Sequence, residues 1–341
     1  MTTKMKAKSS TGGNKVNNIK ISPRLASSKE DYKKGLVLIP EDTKMPKITI
    51  QMIKPDLISH LSNLSNSQLN IMNYSDIHNN DILITRGNLI DWLLVVSEKI
   101  KITDETFFKT IMLFDNYLGK VKNEISDPKE LHFIAVVCFF IAFKFEETKV
   151  ITLEFLETNL LNNKYTRKEI STKEIEILLT LNFKVNFPSV NTFSNTITEI
   201  IKTTIKSSIP NGLAGFTEDF LRKFECIYNF VNKISLFVDE FIFDAKAYNI
   251  SLVNFHATLI LLCKLNSIPD NIYDTLYEFE SVLATNGGIS TKKIDLYASG
   301  LYLAIVNQEK NGLHKNLFDG YQKSIEQIIQ DEKIKMMFWK I

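Results

Sequence analysis

Phe133-Ile134-Ala135-Val136-Val137-Cys138-Phe139-Phe140-Ile141-Ala142-Phe143 is an uninterrupted apolar run of 11 residues. A helix built from it is hydrophobic on every face and must be surrounded by other elements. A membrane span needs about 20 such residues, so the run predicts an enclosed helix and no span. Asp127-Pro128-Lys129-Glu130 marks its start. Asp serves as the cap, Pro suits the first helical position, and Glu can reach back as a capping-box partner. Lys144-Phe145-Glu146-Glu147 marks its end. The two adjacent carboxylates read as a solvated helix end, because neighbouring side chains on a helix diverge.

Four more helices surround this one in sequence. Leu89, Trp92, Leu93 and Val96 recur at spacings of three and four, which predicts a helix from Thr85. Thr103 caps a second helix, with Asp104 and Glu105 near the positive end of its dipole. Its apolar face is Phe107, Phe108, Ile111, Met112, Phe114 and Leu118. A fourth helix runs from Thr152 to about Leu161, a fifth from about Thr166 to Leu181, and Pro188 closes the unit.

The pattern then repeats. Ser251 to Cys263 is a second apolar helix ending in a lysine, Lys264, which lies 120 residues after Lys144. Ser189 can cap a helix carrying Phe193, Ile197 and Ile200. Further helices read at about 217–238, 270–284 and 290–307, with a break at Asn286-Gly287-Gly288. The fold class expected is all-α, two tandem five-helix domains over 46–188 and 189–341. Partial helix is expected within 46–80. Residues 1–45, rich in Lys, Ser, Thr, Asn and Gly, read as a disordered basic tail.

Composition narrows the chemistry. The chain has 341 residues and a net charge of +2, but residues 1–35 carry +7, which leaves −5 on the rest. The globular part is therefore not a basic nucleic-acid binder by bulk charge. Three scattered cysteines with no Cys-x-x-Cys predict neither a disulfide framework nor a zinc site, and fit a reducing compartment. The first residues lack the apolar core of a signal peptide. No phosphate-binding Gly loop, nucleophile elbow or His-x-x-x-His is present, so neither enzyme nor cofactor nor metal is expected.

One constellation is specific. Arg86-Gly87-Asn88-Leu89-Ile90-Asp91-Trp92 opens the first predicted helix, and Asp104-Glu105-Thr106 opens the second, with Asp115 later in it. Ala142-Phe143-Lys144-Phe145-Glu146-Glu147 ends the third, and the fifth holds Glu174 before Leu181-Asn182-Phe183. Over about residues 85–188 these resemble the cyclin box of cell-cycle cyclins, with an A/B-like N-terminal box. The second half is similar to the C-terminal cyclin fold by helix pattern alone.

The resemblance implies a regulatory subunit that activates a cyclin-dependent Ser/Thr protein kinase in cell-cycle control, in nucleus and cytoplasm, with neither nucleic acid nor membrane as partner. It implies that Lys144 and Glu174 hold the kinase's mobile helix and the loop before it, with apolar contacts from Ile141, Phe145, Phe183 and Val185. It implies a structural ion pair between Arg86 and Asp115. It also implies a groove for kinase substrates at Leu89, Trp92 and Leu131. There the chain departs from the family pattern: Thr85 and Asn88 stand where apolar residues are usual, and Val95 where an acid meets a docking arginine. Weak docking of Arg-x-Leu substrates is the expectation. The alternative is a two-repeat cyclin-fold general transcription factor that binds DNA. That class would want a basic core and often a zinc ribbon.

Overall fold

The computed structural model describes residues 55–67, 80–121, 127–208, 214–237, 246–264 and 270–311. Every regular element among them is helical, with no strand. α1 is Pro55–Ser67, α2 Asn80–Ile100, α3 Asp104–Val121 and α4 Pro128–Glu146. A short α5, Leu153–Phe155, continues as a π-turn, Leu156–Leu160, and α6 is Arg167–Thr180. The second series is α7 Val190–Ser208, α8 Ala214–Ser235, α9 Ala247–Lys264, α10 Asp270–Gly287 and α11 Thr291–Asn311. The tail expected over 1–45 lies outside the described residues.

α4 is the centre of the first group. Leu131 and every residue from Phe133 to Phe143 are buried, against α2, α3 and α6. Burying each such large side chain contributes roughly 1.5–3 kcal/mol. α9 holds the corresponding place among α7, α8, α10 and α11. Its core is more polar: Asn254 donates to Asn232 at 2.9 Å and to Ser235 at 3.0 Å. His256 sits between the carboxylates of Glu280 at 2.8 Å and Asp295 at 3.2 Å.

The caps explain where helices begin. The Asp127 side chain accepts from the Lys129 N–H at 2.9 Å, with Pro128 at the first position. The capping box expected at Glu130 instead forms on α6, between Thr166 and Glu169. Glu130 lies near Lys173 of α6, at 3.5 Å. α2 begins at Asn80, so Arg86 stands well inside the helix rather than at its opening. Gly287 ends α10 against the Tyr248 ring, which a Cβ would meet at 2.4 Å, and Gly288 then turns with φ +67°.

Two differences from the sequence reading matter for function. α3 shows one apolar face in sequence, yet every residue from Thr106 to Leu118 is buried, Lys109, Asp115 and Asn116 included. The reason is that α3 packs against α7 of the second group as well as α4. α1 reaches helices of the second group. It packs against α7 and α10, with Leu61 buried.

Candidate functional site

Lys144 lies in the last turn of α4 and Glu174 in the middle of α6. The packing of α6 on α4 brings them together as an ion pair. The Lys144 ammonium also lies 4.1 Å from the centroid of the Phe140 ring. The lysine side chain is 44% exposed and the glutamate 16%. A pair this open contributes little to stability, roughly 0–1 kcal/mol. Both groups remain at the surface as a donor and an acceptor.

Apolar side chains lie uncovered on the same elements. Phe145, next to Lys144, is 45% exposed, and Phe183, just past the end of α6, is 61% exposed. Ile175 and Leu179, one turn apart on α6, are each 58% exposed. Sequence reasoning missed these two; their spacing of four on an otherwise charged helix was the available signal. Ile141 is buried at 5%, and Val185 is half-buried against the core. Only Phe145 and Phe183 of the four expected apolar residues thus face outward.

Phe183 is held there by its backbone. Asn182 and Phe183 both have left-handed dihedrals, with φ of 50° and 54°. The Phe183 N–H donates to the Leu178 carbonyl at 2.8 Å and fixes the turn. A bulky residue in this region costs about 1–2 kcal/mol.

Behind the face, the end of α4 is fastened to the start of α3. Glu147 accepts from the Thr103 N–H at 2.7 Å, the Thr106 hydroxyl at 2.7 Å and the Thr103 hydroxyl at 3.0 Å. Burial opposes the charged form, but these hydrogen bonds outweigh it and hold the Glu147 carboxyl below its ordinary range. Glu146 pairs with Lys109 of α3, which is 3% exposed. The end read as solvated is therefore a bonded joint. Tyr117 donates to Glu176 at 2.5 Å, and Glu176 pairs with Lys173, which ties α6 to α3.

Arg86 and Asp115 form a two-pronged pair at 2.8 and 2.9 Å, both nearly inaccessible. The third guanidinium nitrogen donates to the Leu236 carbonyl at 2.8 Å, beyond the end of α8. The pair thus joins α2 and α3 to the second group as well as to each other. Of the proposed groove, Leu89 and Leu131 are core residues, while Trp92 is half-buried with its ring 4.7 Å from that of His132. Burial, with the nearby Lys164 charge, keeps the His132 imidazole below its ordinary range.

Residues 56–186 match the family model for the cyclin N-terminal domain. Cyclin-A2-1 of Arabidopsis thaliana is 34% identical over 108 residues, which are 32% of this chain and 24% of that protein. The G2/mitotic-specific cyclin C13-1 of Daucus carota is 33% identical over 125 residues, 36% of this chain and 35% of its own. Cyclin-B2-2 of Oryza sativa subsp. indica is 36% identical over 104 residues, 30% and 24% of the two chains. This chain therefore spans about a quarter to a third of the length of these relatives.

Proposed function

Through residues 56–186 the chain belongs to the cyclin family, of the cell-cycle kind, and on that premise we propose that it is a non-catalytic regulatory subunit that binds and activates a cyclin-dependent Ser/Thr protein kinase. The observation that carries the reading is the Lys144–Glu174 pair on elements that also expose Phe145, Ile175, Leu179 and, just past α6, Phe183. Clustered uncovered apolar side chains mark a surface that a partner covers. The central donor and acceptor suit backbone groups. Lys144 can donate to carbonyls and Glu174 accept from N–H groups, so a partner helix is gripped without its side chains being read.

Activation then follows from population shift. A kinase needs a Lys–Glu pair in its own site to position phosphate, and its mobile helix carries that Glu. A surface that binds one position of the helix better than the other moves the equilibrium by the difference in binding energy. The DNA-binding alternative draws no support from A- and B-type relatives.

The test is co-purification of the full chain with identification of the bound kinase, followed by titrated activation. Lys144→Ala and Glu174→Ala should each weaken binding and activation while leaving the melting temperature nearly unchanged. Normal activation by both variants would overturn the assignment of the face.

A further inference from the structure

We propose that Lys109 is a positioning residue for this face: its buried ammonium fixes the Phe145 ring and the last turn of α4 in the orientation that the kinase meets. The proposal rests on the kinase-binding reading above. An ammonium at 3% exposure is unfavourable unless it is paired. Beside it on α3 lie buried Phe108, Met112 and Leu113, and buried Thr106 and Thr110, whose hydroxyls donate to Glu147 and to the Thr106 carbonyl, so none of these offers the ammonium a counter-charge. The partners of the charge come from the end of α4 and from the segment that follows α6. They are the Glu146 carboxylate, the Phe145 ring at 4.4 Å and the Phe187 ring at 5.7 Å.

The geometry has a clear consequence. Phe145 is 45% exposed, and a ring so placed is free to sample rotamers unless something holds it. A cation beneath one ring face attracts it most strongly where water is excluded. The other side of the ring is left for a partner. Glu146 anchors the backbone of the same turn through the same ammonium, and Glu147 anchors the next residue to Thr103 and Thr106. Lys144 and Phe145 are thus set by a frame that belongs to α3. Ordering before contact lowers the entropy lost on binding.

The test is the double variant Lys109→Met/Glu146→Gln in the full chain, with Lys109→Arg as the conservative variant and Lys144→Ala as control. Removing both charges together leaves no buried ion unpaired, so the melting temperature should stay near that of the parent. Three readouts are expected to move otherwise. Amide exchange at residues 144–147 should quicken in the free chain. Affinity for the co-purifying kinase should fall roughly tenfold, and Lys109→Arg should recover most of it. Kinase turnover at saturating chain should be unchanged, because the bound state is the same once formed. Unaltered exchange at 144–147, or an affinity loss that merely follows a drop in melting temperature, would overturn the proposal. If Lys144→Ala leaves affinity untouched, the docking face itself is wrong, and the exchange measurement alone decides the role of Lys109.

Discussion

Phe183 illustrates how a single residue trades stability for exposure. Its left-handed backbone costs about 1–2 kcal/mol, and only glycine takes that conformation freely. Glycine gives back roughly 0.5–1 kcal/mol through the extra freedom of the unfolded chain. Phe183→Gly is therefore expected to raise stability slightly, by about 0.5–1 kcal/mol. The same change removes an exposed apolar side chain and, on the proposed function, should weaken kinase binding. Denaturant melts and a binding isotherm on one preparation check both halves, and a variant that is less stable would contradict the strain. Arg86 is the opposite case, since it is buried and bonded to Asp115 and the Leu236 carbonyl. Arg86→Ala leaves a buried carboxylate and the Leu236 carbonyl without their donor and should cost about 3–5 kcal/mol. Asp115→Ala should do likewise, because it strands a buried guanidinium that cannot lose its charge. A double-mutant cycle should show a large coupling energy, and strict additivity would contradict the pairing.

At the scale of elements, α4 was legible because its periodicity is absent: a helix without a polar face has one possible place. α3 was not, although it is buried as thoroughly. Lys109, Asp115 and Asn116 interrupt its apolar pattern, and the first two are made tolerable by groups far away in sequence. Lys109 needs Glu146, Asp115 needs Arg86, and Asn116 donates to its own helix at the Met112 carbonyl. The family resemblance names Lys144 and Glu174 as two contacts for one partner, but not as partners of each other. Only the packing of α6 on α4 makes them one pair. The joint at Glu147 carries a pH signature. Its carboxyl is held below the ordinary range, so its contribution is complete above the unfolded value and is lost as pH falls through the folded one. Glu147→Gln should lower the melting temperature at neutral pH and flatten the acid limb of the stability curve. Calorimetry between about pH 2 and 7 reads this, and parallel curves for variant and parent would remove Glu147 from the joint.

Across the whole molecule, polar bonds join the two helical groups where α3 meets α7 and α8. Glu105 accepts from Thr192 at 2.9 Å and Asn191 at 3.1 Å, and Lys233 reaches Asp104 at 3.0 Å. α1 adds an apolar contact to the second group through Leu61. A chain beginning at residue 46 keeps α1 and, on the proposed function, is expected to match the full chain in kinase activation. One beginning at residue 68 loses the helix and should melt lower, by an amount fitting a vacated site for a buried leucine, roughly 2–5 kcal/mol. Equal melting of the two would show that α1 contributes nothing to the second group. The position of α1 also has a consequence in time. It is the first described helix to leave the ribosome, yet half of its seat, α10, ends at Gly287. Synthesis at about 5–20 residues per second separates the two events by some tens of seconds. During that interval α2, α3 and α6 can close around α4, while α1 waits for a surface that has not yet been made.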